Sequence, residues 1–147
     1  MNTSQLQSVL HREHIHGTVC AIDQLPTHID HFPSAFIINT DEHDEPGEHW
    51  VAVYFPESTK AEFFDSYGHL PSYFDERLVY FLQKANSVIY NTVKLQGPLT
   101  LVCGQYCLFY IMHRERGIPA DILLTHLNMY NADTMVQLCL NQHLNKP

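Results

Sequence analysis

Apolar and polar positions alternate along this chain in rhythms that change at turn formers, and the changes mark out the elements. SQLQSVLHREH sets Leu6, Val9 and Leu10 at helical spacing behind Thr3 or Ser4 as N-cap, which predicts a short first helix ended by Gly17. TVCAI, from Thr18 to Ile22, reads as a short strand, and the two prolines of QLPTHIDHFP mark turn and loop. AFIINT, from Ala35 to Thr40, has the unbroken apolar run of a buried strand, and DEHDEPGE after it is a solvated acidic loop.

HWVAVYF and KAEFFDSY are aromatic and β-branched runs separated by PEST, so they are expected to pair as an antiparallel hairpin. His49 then begins one strand and Asp65 ends the other, which brings both to the same end of the hairpin. Phe74, Leu78, Phe81 and Leu82 predict a helix from about Ser72 to Ala85, bounded in front by Gly68 and Pro71. SVIYNTVKLQ is a further strand ending near Gln96, broken by Gly97 and Pro98. Thr100 is the expected N-cap of a helix from Leu101 to Arg116, stopped by Gly117 and Pro119. CGQYCLFYIMH within it is apolar almost all round, so this helix belongs at the centre of the fold. Helical stretches near Asp121 to Leu124 and Asp133 to His143 close the chain. Strands followed by a central helix give an α+β domain with a mostly antiparallel sheet.

The length of 147 residues, 45% hydrophobic, suits one domain over 1–147. A formal charge of −8 argues against a nucleic-acid partner, although eleven histidines weaken that argument at acidic pH. No stretch resembles a signal peptide or a spanning helix, so no membrane association is expected. The four cysteines are scattered and read as reduced thiols of an intracellular protein. A monomer is expected.

Cys103, at the expected first turn of the central helix, sits where the helix dipole favours thiolate. His49 is a candidate base for it, Asp65 a candidate orienter of the imidazole, and Gln96 a candidate side-chain donor to an oxyanion. Gly104 would leave room for a substrate main chain. Trp50 is either a core aromatic or the wall beside the imidazole. Blander roles stand beside these: Cys103 as a buried apolar residue, Asp65 as a turn cap, Gln96 as a strand end. Cys107, one turn on, is expected to be structural. His11, His14, His16 and Cys20 are of ligand type, but their spacing fits no established zinc pattern, and no metal is expected.

FIINTDEHDEPGEHWVAVYF, FFDSYG and QGPLTLVCGQYCLF together resemble the adenovirus protease (adenain) family, with its relatives in adenoviruses, Maverick/Polinton transposons and adintoviruses, inside the wider Ulp/SUMO-protease group. The order His, Asp, Gln, Cys matches, with Gln96 seven positions before Cys103. Weaker similarity covers GTVCAIDQLP and LNMYNADTMVQLCLNQHL. The resemblance implies a thiol endopeptidase in which Cys103 is the nucleophile, His49 the base and acid, Asp65 the orienter and Gln96 the oxyanion donor. It implies cleavage of viral or transposon capsid-type precursors at small or glycine-containing sites. The alternatives are a Ulp-like isopeptidase that removes a ubiquitin-like modifier and a catalytically silent interaction module. It further implies residence in the host nucleus or cytoplasm, with packaging in a virion as an option. Asp65 stands where adenain has glutamate, as on the Ulp side of the group. The chemistry requires no cofactor. An activating peptide, disulfide-linked in adenain, would need Cys139 or Cys20, and the acidic charge makes adenain's DNA cofactor doubtful here.

Overall fold

The computed structural model describes residues 1–129 and 131–145; Tyr130 of the C-terminal stretch, and Lys146 and Pro147 of the expected 1–147 domain, lie outside the described residues. The chain opens with α1 (Thr3–Arg12), capped by Asn2 rather than by Thr3 or Ser4. The Asn2 side chain accepts from the Gln5 N–H and the Gln5 side chain accepts from the Asn2 N–H, each at 2.9 Å, a reciprocal pair that neither Thr3 nor Ser4 could make with Gln5 two or one residues away. β1 (Gly17–Ala21), a single 3₁₀ turn (Ile22–Gln24) and β2 (Ser34–Asn39) follow, then β3 (Trp50–Glu57) and β4 (Lys60–Phe64). These last two form the expected hairpin, with Ala52 opposite Phe64 and the turn tightened to Ser58 and Thr59.

The helix expected from Ser72 to Ala85 comes as two pieces, α2 (Pro71–Phe74) and α3 (Glu76–Leu82). Asp75 divides them because it adopts extended backbone and its side chain caps the second piece by accepting from the Arg77 N–H. β5 is short (Ser87–Tyr90), and the chain beyond it to Gln96 is irregular. The last third holds α4 (Cys103–Glu115), α5 (Ala120–Met129) and α6 (Ala132–Leu144).

The five strands lie in sequence order, β1-β2-β3-β4-β5. The centre, β2-β3-β4, is antiparallel, while both outer strands join in parallel, Gly17 opposite Ala35 and Lys60 opposite Ser87. Alternate residues feed two cores. Ala35, Ile37, Ala52, Tyr54 and Phe64 face α1, α4, α5 and α6, whereas Phe36, Ile38, Val51, Val53, Phe55 and Phe63 face Leu78, Phe81 and Leu82 of α3. The result is an α+β sandwich of three layers, with α4 against the middle of the sheet and buried from Tyr106 through Met112. Among the described residues no helix is long and apolar enough to cross a membrane.

Candidate active site

Three chain segments meet at one end of the β3–β4 hairpin. His49 directly precedes β3, and its backbone carbonyl accepts from the Thr40 N–H at 2.9 Å, which ties it to the end of β2. Asp65 directly follows β4. Cys103 is the first residue of α4, whose N-cap position is Val102 and not Thr100; the Thr100 hydroxyl donates to the Gly97 carbonyl instead, and no side chain caps the helix. The first-turn N–H groups are thereby left to the sulfur and to whatever approaches it.

His49 Nε2 and Asp65 Oδ1 are 2.6 Å apart, leaving Nδ1 for the thiol beside it. Asp65 is 0% exposed, and its carboxylate also accepts from the Tyr67 N–H at 3.2 Å and the His69 N–H at 2.9 Å. A turn closed by the Gly68 N–H to Asp65 carbonyl bond aims those donors. Gly68 is fixed as glycine twice over: its φ is +75°, and a Cβ there would meet backbone of Thr92 and Val93 at 2.8–2.9 Å. The imidazole is walled by Phe74, stacked at 5.5 Å, and by Tyr67 at 5.3 Å.

Burial alone pushes each of these groups toward neutrality, and in each it is the largest single influence. It is outweighed in each. The Cys103 thiol is lowered from its ordinary 9.0 by the His49 ring and by the backbone N–H groups of Trp50 and Gly104. Asp65 is lowered by His49 and by the N–H groups of its turn. His49 is raised to about 9 by the carboxylate on one side and the sulfur on the other. The remaining cysteines go the opposite way: burial pushes Cys20 up to about 11, Cys107 well above the ordinary range and Cys139 upward. Cys107 is buried in the core beneath Cys103.

Gln96 is 2% exposed, with Oε1 accepting from the Ser66 hydroxyl and Nε2 donating to the Thr100 carbonyl, both at 2.7 Å. One N–H of its amide remains beyond these bonds. Gln96, Trp50, His49 and Cys103 line one open cleft of about 550 Å³. Trp50 is both wall and core, its indole N–H donating to the Met1 carbonyl at 3.1 Å. Gly104 is placed otherwise than expected: it is buried beside the indole, where a Cβ would stand 3.3 Å from Trp50 Cδ1. Its missing side chain makes space for the indole and not for a bound chain. Of the N-terminal histidines, His16 packs against His31 with ring centroids 4.3 Å apart and the planes tilted by 39°.

Several contributors were not singled out from sequence. Tyr67 and Phe74 frame the imidazole, the His69 N–H donates to the Asp65 carboxylate, and Asn91 grips the Asp65 backbone. Ser66 fixes the Gln96 amide. The run DSYGH after β4 held the signal for three of them, since a turn directly after a candidate orienter must fold back over it.

No family model matches the chain, and no curated protein matches it. Among solved structures it is similar to the ASFV pS273R protease, in selenomethionine form, at 27% identity with a TM-score of 0.45, over 70% of this chain and 40% of that one. It is also similar to the central domain of the uncharacterized Lpg1148 protein from Legionella pneumophila, at 16% identity with a TM-score of 0.49, over 89% of this chain and 90% of that one. The chain thus spans less than half the length of the viral protease.

Proposed function

We propose that the protein is a cysteine peptidase of the adenain/Ulp type, acting through Cys103, His49, Asp65 and Gln96. The observation that carries the reading is the divergence among the four thiols: Cys103 alone is drawn toward thiolate, and it is the one beside an imidazole whose far nitrogen is held by a buried carboxylate. The Cys103 sulfur forms a bond to the substrate carbonyl carbon while the C=O electron pair moves onto oxygen. A remaining Gln96 N–H and backbone N–H groups at the start of α4 receive that charge. Collapse breaks the C–N bond as protonated His49 gives its proton to the departing amine. Water then attacks the thioester, His49 takes its proton, and Cys103 leaves as thiolate with the acid released. Asp65 holds the ring in the tautomer this cycle needs.

The substrate is a polypeptide in this reading, and the resemblance to the adenain group suggests sites with a small residue such as glycine. A deconjugating activity draws on the same chemistry, and the aspartate at position 65 favours it over strict adenain likeness. Hydrolysis of glycine-site peptides and of a SUMO fusion separates the two. Either activity is expected to fall to background in Cys103→Ala and by about 10²–10⁴ in His49→Ala. Turnover that survives Cys103→Ala overturns the proposal.

A further inference from the structure

Of the basic side chains among the described residues, Arg77, Arg114, Arg116 and Lys60 meet carboxylates, and Arg12 and Lys84 meet backbone carbonyls. Lys94 meets neither. Its ammonium lies over the Tyr67 ring, 5.6 Å from the centroid, and Tyr67 in turn packs 5.3 Å from the His49 ring. In a chain with 16 acidic residues and a net charge of −8, an ammonium left without an anion, on the wall of the cleft that holds Cys103, stands out against the charge around it. Glu48 faces the same cleft beside His49, so the cleft carries a cation and an anion that are not paired with each other.

We propose that Lys94 is a specificity-determining residue that selects an acidic side chain of the bound polypeptide, close to the bond that is cut. This rests on the peptidase reading above. The two ring contacts set the ammonium within about three residues of an extended chain from the reacting centre. A peptide in the cleft displaces water from around Lys94, which strengthens a charge pair there relative to open solvent. The surrounding negative field disfavours acidic residues elsewhere on the substrate, so the preference is confined to the position that meets Lys94. The Tyr67 face supports the ammonium without neutralising it, which holds the charge toward the cleft.

The test uses a peptide series with Asp, Asn and Lys placed singly at the three positions on each side of the cleavage site. The wild-type protein is expected to favour Asp over Asn about three- to fivefold in kcat/KM at one position, a size proper to an exposed charge pair, and less in 0.5 M salt. Lys94→Gln should erase that ratio, Lys94→Arg should keep it, and Lys94→Glu should reverse it toward Lys. Binding of the same peptides to the Cys103→Ala protein, read by fluorescence anisotropy, gives a second arm independent of turnover. If nothing is cleaved yet the Asp peptide binds more tightly in a Lys94-dependent way, the role of Lys94 stands and the peptidase reading falls. Equal treatment of Asp and Asn at all six positions, or a preference that survives Lys94→Gln, overturns the proposal.

Discussion

Cys103 has the same thiol as its three counterparts, and what separates it is the His49 ring and the backbone N–H groups of Trp50 and Gly104 around its sulfur. Alkylation should read that difference directly: with iodoacetamide near neutral pH, Cys103 should label on the order of tenfold faster than Cys139, and His49→Ala should remove most of the advantage. Equal labelling of the four cysteines would sink the assignment. The pH profile follows from the same pair, with opposite signs on its two limbs. Below the lowered Cys103 pKa the sulfur is protonated, so activity rises as pH climbs through it. Above about 9 the His49 ring is neutral and has no proton for the leaving amine, so activity falls there. In Asp65→Asn the acceptor that raises His49 loses its charge, and the alkaline limb should move to lower pH; kcat/KM against pH measures both limbs, and an unmoved limb would remove Asp65 from the role of orienter.

At the scale of elements, Asn91 continues by side chain what β5 does by backbone. Parallel pairing of β4 with β5 ends at Phe63 and Tyr90, after which the Asn91 carboxamide donates to the Asp65 carbonyl at 2.6 Å and accepts from the Asp65 N–H at 2.9 Å. Asn91→Ala leaves the Asp65 N–H unpaired and its carbonyl with only the Gly68 N–H, and should cost about 1–3 kcal/mol in urea unfolding, with a fall in kcat as Asp65 gains freedom. A change confined to stability would show that Asp65 is held by its own turn alone. The same place shows why part of the fold was hidden. SVIYNTVKLQ reads as one strand because Thr92 and Val93 are β-branched, yet a polar side chain at Asn91 takes over the pairing and frees the backbone beyond it. The hairpin, which depends on local alternation and a near turn, was legible, and so was the meeting of His49 with Asp65. The parallel outer pairs were not, since their partners lie far along the chain and no local pattern specifies direction. Gly104 misled for a related reason: a missing Cβ announces a close neighbour, but only the fold says that the neighbour is Trp50.

For the molecule as a whole, the site depends on a helix and a sheet keeping one relative position, because Cys103 rides on α4 while Asp65 follows β4. The far end of α4 is fastened by charge. Arg114 donates through Nε and a terminal nitrogen to the two oxygens of Glu62, both at 2.7 Å, and the Tyr110 hydroxyl donates to Glu62 at 2.6 Å. Glu62 lies three residues before Asp65, and Arg114 lies about 16 Å along the helix axis from Cys103. The carboxylate is buried, so removing one partner strands a charge. Glu62→Met and Arg114→Met should each cost about 3–5 kcal/mol, whereas the double variant should cost less than either, since two apolar side chains leave no charge unpaired. Urea unfolding of the four proteins closes the cycle, and additivity within about 0.5 kcal/mol would mean that the pair does not couple helix to sheet. Activity distinguishes a fastening from mere stability. If the ion pair sets the register of α4 on the sheet, the double variant should regain stability but keep a lowered kcat, because Met against Met fills the space without fixing direction. Full recovery of both would assign the placement of Cys103 to the apolar packing of α4 alone.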